Sequence, residues 1–128
     1  MINNIQPNSI VKEDFDKAMR NFCKKVTFNS HKQYKESGLS HRPVYKVAGG
    51  RKYLKVKSFE TNTVDMDGNK VLDTKGRIFC FVHHKTGDIY KAATYKAPYL
   101  KGNNAVRGNI FDETTFEKTD PYGGAWYA

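Results

Sequence analysis

The sequence predicts an α+β fold, with one N-terminal amphipathic helix packed on a twisted antiparallel sheet of hairpins and an irregular C-terminal arm. Two observations predict it. Apolar residues recur at helical spacing only near the N-terminus, and further along, short runs of alternating character are broken by turn pairs such as Gly49-Gly50 and Asp67-Gly68. At 128 residues the chain is long enough to bury one core. Eight Tyr and eight Phe supply more ring area than a disordered chain carries.

The helix is read from about Ser9 to Phe28. Phe15, Ala18, Met19, Phe22 and Val26 form its apolar stripe, with Cys23 beside it and Lys17, Arg20, Lys24 and Lys25 on the other side. The next stretch, "NSHKQYKESGLSHRP", is polar and contains Gly38 and Pro43, so it reads as a loop with at most one helical turn. "VYKVAGGRKYLKVKSFE" reads as two strands joined through Ala48, Gly49 and Gly50. On the second strand, alternation sends Leu54 and Val56 to one face and Tyr53, Lys55, Lys57 and Phe59 to the other.

"TNTVDMDGNKVLDTKG" places Asp67-Gly68 between short arms. Asp65, Asp67 and Asn69 begin like a calcium loop, but Lys70 stands where that loop needs glycine and Gly76 where it needs glutamate. "RIFCFVHHKTGDIYKAATYKAPYL" is a hairpin. A turn over Lys85, Thr86 and Gly87 sets His84 opposite Asp88, and counting back pairs Val82 with Tyr90, Cys80 with Ala92 and Ile78 with Thr94. Arg77, Phe79, Phe81, Lys91, Ala93 and Tyr95 then share the opposite face. The helix, through Phe15, Met19 and Phe22, is expected to cover Leu54, Val56, Ile78, Cys80, Val82 and Ala92. Pro98 ends the last arm, because it has no amide to donate. The whole sheet should hold about four to six strands. Residues 1–111 form the domain, and 112–128 an acidic tail with isolated hydrophobics such as Phe116 and Trp126.

The formal charge is +9, which favours polyanionic or acidic partners. It is unevenly spread. Between Lys17 and Lys57 twelve Lys or Arg face the single Glu36, and between Arg77 and Asn109 six face the single Asp88. Cys23 and Cys80 sit among apolar residues and read as buried free thiols in a reducing compartment. The sequence shows no secretory pattern and no run of membrane-spanning length. The expected setting is therefore the cytoplasm, with no membrane partner.

A nucleophile elbow, a P-loop and a dinucleotide fingerprint are all missing from the sequence. Adjacent on a strand, His83 and His84 should point to opposite faces and cannot chelate one metal together. No metal or other cofactor is expected. The basic and aromatic pattern is the stronger signal, since single-stranded nucleic acid is held by a cationic groove for phosphates and by rings on which bases stack. If the strand at Tyr53 and the hairpin at Phe79 share a sheet, Tyr53, Lys55, Lys57, Arg77, Phe79, Phe81, Lys91 and Tyr95 line one surface, and Arg107 adds a guanidinium from the arm. The competing expectation is that Phe79 and Phe81 are core. A protein-interaction role is the functional alternative, as a virion or assembly component or as an inhibitor of a host enzyme or defence system. It leaves room for a homo-oligomer. A nuclease-like enzyme using His83 and His84 is the second alternative.

The run "CFVHHKTGDIYKAATYKAP", with "RGNIFD" and a late "PYG", resembles a recurring pattern in small uncharacterised proteins encoded by tailed phages and environmental viral genomes. The resemblance spans roughly Gly50 to Phe111 and a little of the tail. Such proteins often carry a tryptophan where this chain has Tyr95, and a shorter link before the arginine than "YLKGNNAV". The resemblance implies a viral source and a compact domain made in an infected bacterium, in its cytoplasm or carried in the virion, and it implies no activity.

Overall fold

The computed structural model describes residues 12–119. Helix α1 (Lys12–Glu36) precedes five strands: β1 (Val44–Val47), β2 (Tyr53–Phe59), β3 (Arg77–His83), β4 (Asp88–Tyr90) and β5 (Gly108–Asn109). A 3-10 turn (Glu113–Thr115) follows. The strands form one sheet in chain order, each antiparallel to its neighbour. The fold is α+β, with the long helix on one face of an open sheet. The helix's expected start at Ser9 and the later part of the tail, with Trp126, lie outside the described residues.

Helix α1 runs about two turns further than its apolar stripe predicts, through most of the stretch read as a loop. Tertiary hydrogen bonds hold the extension where the hydrophobic signal fades. Buried Ser30 donates its hydroxyl to the Tyr45 hydroxyl at 3.1 Å, the Tyr45 N–H donates to Thr27 Oγ1 at 3.0 Å, and His31 Nε2 lies 2.8 Å from the Pro43 carbonyl. Gly38, at φ +74°, ends the helix in a Schellman motif: Leu39 N–H bonds the Tyr34 carbonyl and Gly38 N–H that of Lys35.

The core joins Phe15, Met19, Phe22, Cys23 and Val26 of α1 to Val56, Cys80, Val82 and Ile89 of the sheet. Tyr45, Phe79, Ile110 and Phe116 complete it. Phe116, in the stretch read as tail, meets Phe22 edge-on with ring centroids 5.0 Å apart. Both cysteines are free and buried, and burial pushes the Cys23 thiol up to about 12.

Two features of β3 depart from simple alternation. Cys80 opposes Val56 but Ile78 opposes Lys57, so Phe79 is an extra residue on β3. This bulge turns Phe79 inward, 6% exposed, where it packs edge-on against Tyr45 at 4.9 Å, and leaves Ile78 outside the core cluster. On the other side, Val82 pairs with Ile89 and Phe81 with Tyr90, one residue away from the expected register. The slip exchanges the faces of β4. It buries Ile89 completely and keeps the Tyr90 hydroxyl out of the apolar interior; fully burying an Ile side chain contributes roughly 1.5–3 kcal/mol.

Strand β4 stops at Tyr90, so the expected pairs Cys80–Ala92 and Ile78–Thr94 do not form. Thr94 Oγ1 accepts the N–H groups of Lys96 and Ala97, both at 3.1 Å, which closes a turn and brings Pro98 into a bridge with Ala92. The chain then returns as β5, pairing Gly108 with Ile89 and Asn109 with Asp88.

The β1–β2 turn depends on Gly50. It sits at φ +101°, and an added Cβ there would stand 2.2 Å from the Tyr53 carbonyl oxygen, whereas one at Gly49 (φ +104°) meets open space. Urea unfolding should show Gly49→Ala costing on the order of 1–3 kcal/mol for its backbone conformation alone and Gly50→Ala costing clearly more. Equal losses would mean that the turn relaxes freely. A second expectation concerns the thiols, which in the folded chain should resist alkylation at mildly alkaline pH and react at once in denaturant.

Candidate nucleic-acid interface

Cross-strand partners share a face, so the register fixes what lies on the side of the sheet away from α1. Tyr53 opposes His83, Lys55 opposes Phe81 and Phe81 opposes Tyr90. Lys46 opposes Lys57, which opposes Ile78, and Val44 opposes Phe59. The result is rows of lysines and rings across β1 to β4.

The Thr94 turn lays Tyr95 over these rows. Lys57 donates from Nζ to the Tyr95 hydroxyl and to the Lys75 carbonyl at 3.3 Å. Lys57 Nζ lies 4.4 Å and Lys55 Nζ 4.8 Å from the centre of the Tyr95 ring. Lys57 is only 9% exposed, whereas Tyr95 is 44% exposed. The hydrogen bond from Lys57 holds the Tyr95 phenol below its ordinary range, helped by the charges of Lys57, Lys55 and Lys75. Further pairs place Lys46 5.1 Å over Phe59, Lys52 5.7 Å over Tyr53 and Lys91 5.0 Å over Tyr99. Cation–π contacts of this kind occur about once per 70–80 residues in structures. Five among the described residues make the pairing of ammonium with ring a property of the surface rather than an accident.

Of the eight residues expected to line one surface and Arg107 expected to join from the arm, Tyr53, Lys55, Lys57 and Tyr95 come together here. Phe79 does not: the bulge commits it to the core. Phe81 lies on the outer side but is 1% exposed, beneath the side chains around it, and offers no ring face to a ligand. Arg77 is exposed at the start of β3, opposite Ser58 rather than beside the rings. Lys91 lies just past β4, on Tyr99. Arg107 has its backbone fixed to β4, its main-chain N–H donating to the Ile89 carbonyl at 2.7 Å, and its Nε is buried. Lys46, Lys52, Lys75 and Tyr90 join the surface unforeseen, whereas Tyr99 pairs with Lys91 beyond β4. Lys46 was legible, because pairing through the Gly-Gly turn puts it opposite Lys57.

The cations are largely unneutralised. All 22 Lys and Arg fall within the described residues, and among these residues the only lysine or arginine paired with a carboxylate is Lys25, 3.9 Å from Glu113. Asp73, near this surface, is occupied by backbone. It accepts the N–H groups of Gly76 (3.0 Å), Glu60 (2.9 Å) and Lys75 (3.2 Å), and those of Gly76 and then Glu60 are the main cause that holds its carboxyl below the usual range.

The two histidines are arranged differently from expectation. His84 has left the strand, and its ring stacks on that of His83 with centroids 5.1 Å apart. His83 Nδ1 accepts the Lys85 and Thr86 amides at 3.1 and 3.4 Å. Burial, then His84 and Lys52, lower its pKa, which favours the neutral ring. Among the described residues no three His, Cys, Asp or Glu side chains gather where they could hold a metal, and no helix is long and apolar enough to cross a membrane.

The model of a family described as a family of unknown function, DUF7717, matches residues 5–128. The chain belongs to this family. No curated protein and no solved structure matches it. For this DUF7717 member the geometry alone states what the surface can do: it offers ammonium groups to anions and partly exposed tyrosine rings to flat ligands.

The tyrosines should titrate apart in a phenolate absorbance experiment. Tyr95 ionises below the ordinary phenol value of about 10, and Tyr90 above it, through burial first and then the charge of Asp88. Tyr95→Phe should delete the early component, and Lys57→Met should return Tyr95 towards the ordinary range. Because the folded-state pKa of Tyr95 is the lower one, its linkage to stability is fully present above the unfolded value and is lost as pH falls through the folded value.

Proposed function

We propose that this protein is a non-enzymatic binder of nucleic acid, single-stranded rather than duplex, acting through the outer face of its sheet. One observation carries the reading: lysines without carboxylate partners among the described residues stand beside partly exposed rings on a single face. Phosphates would meet Lys46, Lys52, Lys55 and Lys75, while bases would stack on Tyr95 and Tyr53. A duplex hides the faces of its bases and would use only the charges, whereas a single strand uses charges and rings together. The resemblance of the stretch from Cys80 to Pro98 to phage-encoded proteins supports a place in an infected bacterium, where single strands form during replication.

Fluorescence anisotropy with a labelled oligothymidine across a salt series tests this. Log affinity should fall with log salt by about 0.7 per phosphate contacted, and Lys46→Glu with Lys55→Glu should flatten that slope. Tyr95→Ala should weaken the single strand by roughly 1–3 kcal/mol, the worth of one stacked base, and a duplex of equal length much less. Affinity independent of salt, or equal losses for both forms of DNA, would overturn the reading.

A further inference from the structure

At the side of the sheet opposite β5, strand β1 is an edge, and an open groove of about 490 Å³ runs between it and α1. Its floor is apolar, with Met19 and Cys23 from the helix and Val44 and Val47 from the strand. Its rim is basic. Arg20, Lys24 and Lys46 line it, no acidic side chain does, and none of the three is paired with a carboxylate among the described residues.

The backbone of the edge is partly open. The Ala48 N–H donates to the Lys55 carbonyl at 2.9 Å, so in the alternation of an antiparallel ladder Lys46 also faces β2 while Tyr45 and Val47 turn their polar groups outward. Thr27 Oγ1 takes the Tyr45 N–H. By the same alternation the N–H and C=O of Val47 point away from β2, no turn or loop bond reaches them among the described residues, and its side chain is exposed.

From this we infer that the groove receives an extended acidic segment of a partner protein, which adds to β1 as a further strand. Its alternate apolar side chains would cover Met19, Cys23 and Val47, and its carboxylates, turned to the other face, would meet Lys46 within the positive field of Arg20 and Lys24. Strand addition supplies main-chain hydrogen bonds, and pockets for every second side chain supply selectivity. A second copy of this chain fits poorly, because edge-to-edge pairing would set Lys46 and its neighbouring cations against the same cations on a molecule that also carries +9. A polynucleotide would leave the apolar floor without a complement. This inference concerns a groove that shares only Lys46 with the outer face, and its test does not depend on the nucleic-acid reading.

The probe is a short fluorescent peptide of alternating Val and Glu, compared with the same peptide carrying Lys for Glu and with one N-methylated at alternate amides. The acidic peptide should bind the full chain, slow amide exchange at Val47, and outbind both controls by about tenfold or more. Arg20→Glu with Lys24→Glu, two exposed helix positions, should weaken it by a similar factor with the thermal melt unchanged. Equal binding of the Lys or N-methylated peptide, unaltered Val47 exchange, or a concentration-dependent dimer that excludes the peptide would each overturn the proposal. The peptide comparisons use the unaltered chain, so they decide the matter even where the charge-reversed variant folds poorly.

Discussion

The seating of β3 between β2 and β4 governs the chemistry of both faces of the sheet. The strand is bound to one neighbour through a bulge and to the other through a register that buries Ile89. Both choices serve the same demand, which is to fill the space under α1 with apolar groups. Phe79 swings in to meet Tyr45, and Ile89 displaces the Tyr90 hydroxyl from the interior. Because side chains alternate, each gain inside the core transfers another residue outside. Ile78 and Tyr90 reach the outer face by this route, and the lysines of β2 acquire their aromatic neighbours.

The burial of Lys57 follows from the same arrangement. Once Tyr95 folds over the sheet, the ammonium loses much of its water, and an unpartnered charge there would be expensive. It finds the Tyr95 hydroxyl, the Lys75 carbonyl and the negative face of the Tyr95 ring instead of a carboxylate. None of these partners cancels its charge. The site therefore stays electropositive while its polar groups are satisfied, a combination that a salt bridge would not leave.

Much of this was legible in the sequence, and what was not has identifiable causes. The fold class, the apolar stripe of α1 and the Gly-Gly hairpin followed from periodicity and turn chemistry. So did the shared face of Tyr53, Lys55 and Lys57. The last turns of α1 were not, because their stability comes from Ser30, Thr27 and His31 bonding to segments distant in sequence. The β3–β4 register was misplaced by one residue. Turn rules put His84 opposite Asp88, but the chain spends four residues from His84 to Gly87 and closes with the Gly87 N–H on the His83 carbonyl. A bulge leaves no sequence mark, so alternation kept Phe79 and Phe81 together although the structure sends them to opposite sides. Tyr95 reaches the outer face by a turn held by Thr94 and not along the continuing strand that alternation predicts.

Lys46 is where the two surfaces meet. Its side chain lies over Phe59 on the outer face and also borders the groove beside α1. Its backbone belongs to β1, whose outward-turned amides form the edge. Ligands on the two surfaces would therefore share one cation without sharing a floor, because the outer face offers rings and the groove offers Met19, Cys23 and Val47. An anionic strand on the face would draw on Lys46 beside Phe59, and an acidic peptide at the edge would draw on it beside Val44 and Val47. The physical consequence would be a mutual penalty, from the shared cation and from the repulsion of two anions on adjoining surfaces. It is electrostatic in origin, so it weakens as salt screens both ligands.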